Sequence, residues 1–327
     1  MIITRTPLRI SFVGGGTDLP AFYRQEPGAV ISTAIDKYIY ITVNPKFDAK
    51  IRASYSVTEI VDSVDELQHE LIREALRLVG IDGGIEITSI SDIPSQGTGL
   101  GSSSTYTVGL LNALYAYKGQ LVSAERLARE ACQIEIEICG KPIGKQDQYI
   151  AAYGGFQLFE FLPDETVTVT PLLLNRAERR WLESHLLLLY TGLTRSADTI
   201  LGRQAANTTH DNATQKRLRR MRRMVSELHQ AILAKEWDAI GHQLHRGWEE
   251  KRQLAQGISN SRIDAWYTRA REHGAIGGKI LGAGGGGFLL LYAPPECHPE
   301  IVRALPELRP VPFRLEQQGS RIIYVED

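Results

Sequence analysis

The stretch PSQGTGLGSSS, Pro94 to Ser104, decides how the rest of the chain reads. It follows strand-like alternation at Ile85, Ile87 and Ile90 and precedes an apolar segment, Tyr106 to Tyr117, long enough for a helix. The order is therefore strand, glycine loop, helix. Gly97, Gly99 and Gly101 allow a tight turn and a close backbone approach to a ligand, since no Cβ intervenes. Ser102, Ser103 and Ser104 add hydroxyls and free N–H groups at a helix start, which favours anions and phosphate above all. A surface turn followed by serine N-caps is the plainer alternative, and this loop alone leaves the two readings even. No Lys follows the last glycine, which excludes the GxxxxGK[ST] loop, and Ser103 replaces the third glycine of a dinucleotide fingerprint.

A chain of 327 residues with 43% hydrophobic content can bury one large or two moderate cores. Its 37 basic and 38 acidic residues nearly cancel, which argues against a nucleic-acid binder or an acidic-membrane binder. No apolar run approaches a membrane span and MIITRTPLRI lacks a signal-peptide core, so a cytoplasmic protein is expected. Cys132, Cys139 and Cys297 form no CxxC pair; the first two, seven apart on an expected helix, read as small apolar core residues. His242 and His245 have no carboxylate partner in sequence and read as packing or a solvated face.

Along the chain, a strand from Arg5 runs into Gly14, Gly15 and Gly16 and ends on Thr17 and Asp18, which alone reads as a turn. Strand-like runs Val30–Ile35 and Tyr38–Val43 suggest a hairpin turning at Asp36-Lys37. Leu67, Leu71, Ala75 and Leu78 mark a helix ended by Gly80. Ser123 is the expected N-cap of a helix reaching Cys139, with Ala128, Ala131, Glu135 and Ile138 on its apolar face and Glu130 well to the side. A carboxylate on such a face requires a partner or a metal. In Gly144-Lys-Gln-Asp-Gln-Tyr149, Asp147 reads equally as a cap of a short helix or as a functional acid, with Lys145 two residues away. Strands are expected at Phe156–Phe161, Thr166–Thr170 and Leu186–Tyr190, with a domain boundary near 170. The loop after the last of these carries Arg195, a candidate for gripping a phosphate. Lys216 to Arg223 is the most basic run, but Met221, Met224 and Leu228 keep helical spacing beneath it, so it reads as a solvated face. Lys279-Ile-Leu-Gly-Ala-Gly-Gly-Gly-Gly-Phe288 joins two apolar segments, which is not where a flexible linker sits.

These stretches resemble, in order, the three motifs of the GHMP small-molecule kinases, the superfamily of galactokinase, homoserine kinase, mevalonate kinase and phosphomevalonate kinase. The central loop is similar to PxxxGLGSS, with one extra residue between Pro94 and Gly99. Residues 6 to 18 resemble APGRVNLIGEHTD of the sugar-kinase branch, with Gly15 and Gly16 in place of Glu-His; the glycine run near the end resembles KxxGAGxGG. The resemblance implies an α+β, two-domain fold: an N-terminal ribosomal-S5-like domain with a mixed sheet over residues 1–170, and a C-terminal ferredoxin-like domain over 171–327. It implies ATP held by Gly97, Gly99, Leu100, Gly101, Ser102, Ser103 and Ser104, and Mg²⁺ on Glu135 and Ser102, with Ser103 the alternate hydroxyl. Asp147 falls on the catalytic acid and Arg9 on its companion. Gly15, Gly16, Thr17, Asp18, Gly284 and Gly285 fall on the substrate side, with Lys145 and Arg195 as candidate phosphate grips.

Within that superfamily PLRISFVGGGTDLP and GKQDQYIAAYGG look most like the D-glycero-D-manno-heptose 7-phosphate kinases, with fucokinase-like domains the nearest rival. The expected partner is thus a small sugar phosphate, phosphorylated at its anomeric oxygen. A catalytically silent sugar sensor on the same fold is the alternative of another class, and monomer and homodimer both stay open.

Overall fold

The computed structural model describes residues 1–94, 97–194 and 197–326. The first part of the chain runs β1 (Ile2–Val13), a single helical turn α1 (Pro20–Tyr23), β2 (Gly28–Pro45), β3 (Ile51–Ser54), β4 (Thr58–Val61), α2 (Glu70–Val79), β5 (Ile85–Ser91), α3 (Ser102–Tyr117), α4 (Ala124–Cys132), α5 (Gln146–Tyr153), β6 (Phe156–Phe161) and β7 (Val167–Pro171). It continues through α6 (Arg176–His185), β8 (Leu186–Tyr190), α7 (Ala197–His210), α8 (Asn212–Leu233), α9 (Ala239–Lys251), α10 (Ser261–Glu272), β9 (Gly277–Ile280), β10 (Phe288–Tyr292), α11 (His298–Ala304), β11 (Arg309–Pro310), β12 (Leu315–Glu316) and β13 (Arg321–Val325).

The larger sheet has the path β13-β1-β2-β5-β3-β4, with β12 and β6 also on β2 and β7 on β6. Only β3 and β5 pair in parallel among these, so the sheet is mixed. The smaller sheet, β11-β8-β10-β9, is antiparallel, with α9 and α10 against it. Among the described residues no helix is long and apolar enough to cross a membrane. The two sheets do not split at residue 170, because β12 and β13 return from the chain's end to the larger one. One apolar core accordingly takes in Leu8 and Ile31 together with Leu188, Val225 and Tyr292. A second gathers Trp248, Trp266, Ile280 and Leu289 under the smaller sheet.

The helix that the central loop feeds lies at the middle of the first core. α3 touches β1, β2, α2, α4 and α5, and it is buried on all sides from Ser104 to Tyr115, as expected of a helix apolar around its whole circumference.

Three expectations fail for physical reasons. Residues 28 to 45 are one strand and not a hairpin: opposite Pro7 and Leu8 the register jumps from Tyr38 to Ile35, leaving Asp36 and Lys37 in a bulge. The bulge is stabilised by the returning chain, since Asp36 Oδ1 accepts from the Arg314 amide at 2.8 Å, a partner 278 residues away. The helix expected to reach Cys139 is α-helical only to Cys132 and then opens into a π-helical turn over Gln133–Ile138. That turn shifts the phase of the face, so Ile138 is exposed at 48%. Glu130, expected to lie well to the side, is buried and bonded to Tyr115 Oη at 2.7 Å and Arg126 Nε at 2.8 Å. The basic run on α8 is a paired surface: Arg217 and Arg220 meet Glu250, Arg219 meets Glu26, and Arg222 meets Glu160.

Candidate active site

The loops after β1, before α3 and before β10 meet at one cavity of about 930 Å³, lined from both sheets' elements. Arg9 and Ser11 reach it from β1, Gly15, Gly16 and Asp18 from the following turn, Gly97 to Ser104 from the central loop except Leu100, and Asp147 from α5. Lys251 at the end of α9 and Gly282, Ala283, Gly284 and Gly286 close the other side.

The central loop and the last glycine loop touch backbone to backbone. A Cβ on Gly99 would stand 2.5 Å from the Leu281 carbonyl oxygen, and one on Gly282 would stand 2.4 Å from Gly99 Cα. Both glycines also sit at positive φ, +76° and +63°, so side chains are refused by conformation and by space alike. At the start of α3, a Cβ on Gly101 would press 3.1 Å from Asp147 Oδ2. The glycines therefore let the phosphate-type loop lie against both the last loop and the acid on α5.

Arg9 organises the centre. Its Nε and Nη2 donate to Asp147 Oδ1 and Oδ2, each at 2.8 Å, and its Nη1 donates to the Gly99 carbonyl at 2.6 Å. The fork is bidentate, which fixes the carboxylate's plane as well as its distance. Arg9 is 4% exposed and Asp147 is 22% exposed, so the acid keeps one open side. Facing it, Asp18 accepts from the Gly16 amide at 2.8 Å and from Gln146 Nε2 at 3.0 Å. Burial pushes the Asp18 carboxyl above its ordinary value, and the Gly16 bond opposes this.

Glu135 lies in the π-helical turn, fully buried. Ser103 Oγ donates to its Oε1 at 2.6 Å and Gln148 Nε2 to its Oε2 at 2.7 Å. Burial raises its pKa to about 7, against the bonds from Ser103, Ser104 and Gln148. No basic side chain is bonded to it among the described residues. A carboxylate and a hydroxyl side by side, with no protein cation to neutralise them, fit a hard cation that completes its shell with water and phosphate oxygens. Among the described residues no group of three or more His, Cys, Asp or Glu could hold a metal by itself. Ser103 Oγ is bonded to Glu135, whereas Ser102 Oγ faces Thr98 Oγ1 at 3.3 Å.

Several expected positions lie elsewhere. Lys145 is turned out of the cavity: its Nζ binds Glu165 Oε2 at 2.5 Å and the Glu165 carbonyl at 3.1 Å, and it lies 4.6 Å from the Tyr23 ring centroid. The Glu165 carboxylate and carbonyl hold the ammonium behind the wall. Thr17 is buried, its hydroxyl donating to Gly14 and Ala29 carbonyls at 2.8 and 2.9 Å, so it braces the turn. The Leu100 side chain is buried and its carbonyl accepts from the Arg9 amide at 3.1 Å. Gly285 spends its amide on the Ile258 carbonyl at 2.7 Å, while Gly284 does line the cavity. Arg195 lies outside the described residues.

Sequence reasoning missed five contributors. Gln146 lines the cavity and its Oε1 is buried with no partner; its place inside the GxxDQ stretch was the available signal. Gln204 on α7 stands over Gly16. Tyr55 and His69 line one end, with the His69 ring stacked on Tyr106 at 5.2 Å and edge-on to Tyr55 at 4.5 Å. Lys251 is buried 6% exposed, and no pattern around it in the sequence sets it apart from other lysines on amphipathic helices.

The chain matches the family model for the GHMP kinases N terminal domain over residues 65–155 and that for GHMP kinases C terminal over residues 215–308. It is 29% identical over 325 residues to D-glycero-alpha-D-manno-heptose 7-phosphate kinase of Campylobacter jejuni, covering 93% of each chain. It is 26% identical to L-fucokinase/L-fucose-1-P guanylyltransferase of Bacteroides fragilis, over 94% of this chain and 36% of that protein. The crystal structure of a D-glycero-D-manno-heptose 1-phosphate kinase from Bacteroides thetaiotaomicron superposes with a TM-score of 0.81 over 100% of both chains at 26% identity.

Proposed function

Because the chain belongs to the GHMP kinases, phosphotransferases that use ATP and take an alcohol group as acceptor, we propose that it phosphorylates the anomeric hydroxyl of D-glycero-D-manno-heptose 7-phosphate, giving the 1,7-bisphosphate. The observation that carries the chemistry is the bidentate hold of Arg9 on Asp147 beside the N-terminus of α3, inside a cavity that Asp18 also enters.

In this reading the ATP phosphates lie along Gly97 to Ser104, on free amides and the positive end of α3. Tyr55 and His69 line the far end with aromatic rings against which a purine would pack. Glu135 and Ser103 would hold Mg²⁺, which would supply positive charge to offset that of the phosphates. Asp147 orients the acceptor hydroxyl and takes its proton as the oxygen bonds to the γ-phosphorus and the bond to ADP breaks. Because the transition state is loose, the proton leaves late and position matters more than basicity. Arg9 keeps Asp147 in place and spreads positive charge over the reacting centre.

Asp18 and the unpartnered Gln146 Oε1 supply acceptors for sugar hydroxyls. Gly15 supports a large sugar, since a Cβ there would meet only Gln146 Nε2, at 3.8 Å. A cytoplasmic setting, with ATP at hand and no nucleic-acid or membrane partner, suits this chemistry. ADP release across a panel of sugars and sugar phosphates tests the acceptor, and phosphorus NMR of the product tests the anomeric position. Turnover with fucose but not with heptose 7-phosphate would turn the assignment to the fucokinase-like reading, and binding without any turnover would turn it to the sensor.

A further inference from the structure

Lys251 is the buried charged group that the mechanism above leaves without work. It projects from the last turn of α9 into the cavity and is 6% exposed. Its Nζ donates to the Gly282 carbonyl, and no carboxylate pairs with it among the described residues. An ammonium has three donors, and the Gly282 carbonyl is the one acceptor bonded to it among the described residues. A buried charge left in this state is costly unless a counter-ion arrives.

Its location says which anion. Gly282 packs directly on Gly99, and the Gly99 carbonyl receives Arg9 Nη1 at 2.6 Å. Arg9 and Lys251 thus bind the two carbonyls of one junction between loops, at the point where the nucleotide loop, Asp147 and the last glycine loop meet. The charged groups facing Lys251 are Arg9 of β1, Asp18 of the turn after β1, Asp147 of α5 and the buried Lys279 of β9. Lys279 is committed to the wall, donating to the Ser11 carbonyl at 2.9 Å. Lys251 is held only by the Gly282 carbonyl among the described residues.

We propose that Lys251 is a catalytic residue whose ammonium contacts the γ-phosphoryl group in transit and shares with Arg9 the neutralisation of its equatorial oxygens. A loose transition state spreads negative charge over those oxygens, and a preorganised donor there stabilises it with no reorganisation at the moment of transfer. Burial lowers the Lys251 pKa to about 8, with Arg9 adding to the effect and Asp18 and Asp147 opposing it. The cation is present at neutral pH and is lost as pH rises through that value.

This inference rests on the kinase reading but not on heptose as acceptor, so the two fail separately. The identity of the sugar is judged by which member of the panel releases ADP; Lys251 is judged by the ratio of variant to intact turnover with that sugar. In the full chain, Lys251→Met is expected to lower kcat by roughly 10²- to 10³-fold, with the Kd of a non-hydrolysable ATP analogue and the acceptor KM each changed less than about threefold. Lys251→Cys is then treated with 2-bromoethylamine, which forms a C–S bond with loss of bromide and rebuilds an ammonium of lysine length. The alkylated variant should recover at least tenfold in kcat, and the alkaline limb of the pH profile absent from Lys251→Met should return with it. The intact chain treated alongside controls for Cys132, Cys139 and Cys297. A kcat within threefold of the intact chain overturns the proposal. So does a loss confined to acceptor KM, which would make Lys251 a grip on the sugar's own phosphate, and so does alkylation that restores melting temperature but not turnover.

Discussion

Replacing Asp147 by Asn separates the chemistry of the acid from its place in the scaffold. The carboxylate accepts two bonds from Arg9, both at 2.8 Å; Asn keeps one oxygen and sets an amide N–H against the second guanidinium donor. One charge-assisted bond is lost, worth about 1.5–3 kcal/mol, and the guanidinium, 4% exposed, loses its counter-charge. Asp147 itself is 22% exposed, so water relieves part of this, and a net loss of about 1–3 kcal/mol is expected. For a chain of this size that corresponds to a melting point only a few degrees lower. Turnover should fall far more, by roughly 10²- to 10⁴-fold, because in the proposed mechanism Asp147 receives the acceptor's proton. The assay is ADP release alongside binding of a fluorescent ATP analogue and a thermal melt. Nucleotide affinity should hold within a few-fold, because Arg9 keeps its bond to the Gly99 carbonyl. Near-normal turnover would falsify the assignment of Asp147. A collapse of nucleotide binding in step with turnover would recast the residue as a support for the loop.

Lys145→Met should leave the acceptor KM within about twofold while lowering stability, because Lys145 serves Glu165 behind the cavity wall. Burial raises the Glu165 carboxyl, but the bonds from Lys145, Tyr23 and Arg24 outweigh it and bring it down to about 2. A depressed acid stabilises above its unfolded pKa and loses that contribution as pH falls through about 2. The stability gap between Glu165→Gln and the intact chain, read by urea unfolding, should therefore be present at pH 7 and shrink steadily as the solution is acidified below pH 4; a gap that grows on acidification would contradict the network. Gly99→Ala places a Cβ 2.5 Å from the Leu281 carbonyl at φ +76°, so a loss of more than about 1 kcal/mol and weakened nucleotide binding are expected; unchanged affinity by calorimetry would undo the claim that the two loops meet there. Glu135→Gln should raise the Mg²⁺ concentration at half-maximal turnover by more than about tenfold, and an unchanged magnesium titration would remove Glu135 from the cation site.

How much of this was legible in the sequence depended on whether a residue's role is set by its neighbours in the chain. The strand–loop–helix around Gly99 is local, and its elements stand where the alternation and the apolar run put them, at Ile85–Ser91 and Ser102–Tyr117. Arg9, Asp18, Asp147 and the glycines around 282 to 286 sit inside recognisable motifs, and they converge on one cavity. What was illegible depends on distant partners. Asp36-Lys37 carries a turn's composition, yet Arg314 turns it into a bulge. Lys145 lies two residues from Asp147, but α5 directs it to Glu165 on the other side of the wall. Ser102 and Ser103 are equivalent as letters; only the fold shows that Ser103 is bonded to Glu135, and the π-helical turn that places Glu135 leaves no periodicity to read. Lys251 acquires its character only from burial against Gly282, in a loop encoded thirty-one positions later.

The same contacts make the two substrates' sites parts of one scaffold. Gly99 belongs to the loop proposed to hold the nucleotide, yet its carbonyl is bonded by the arginine that holds Asp147, and its Cα rests on Gly282 of the last loop. In the proposed function, a shift of the central loop on phosphate binding would reach the acid through Arg9, whose guanidinium bonds both the loop and Asp147 at 2.6 and 2.8 Å. Bidentate geometry narrows that freedom further. The arrangement therefore predicts that nucleotide and acceptor binding are coupled with equal magnitude in both directions, as linkage requires. Cutting the Arg9 bridge with Arg9→Met should abolish that coupling even where each ligand still binds alone. Calorimetric titration of each ligand in the presence and absence of the other measures it, and a coupling unchanged in Arg9→Met would mean that the sites communicate by some route other than this one.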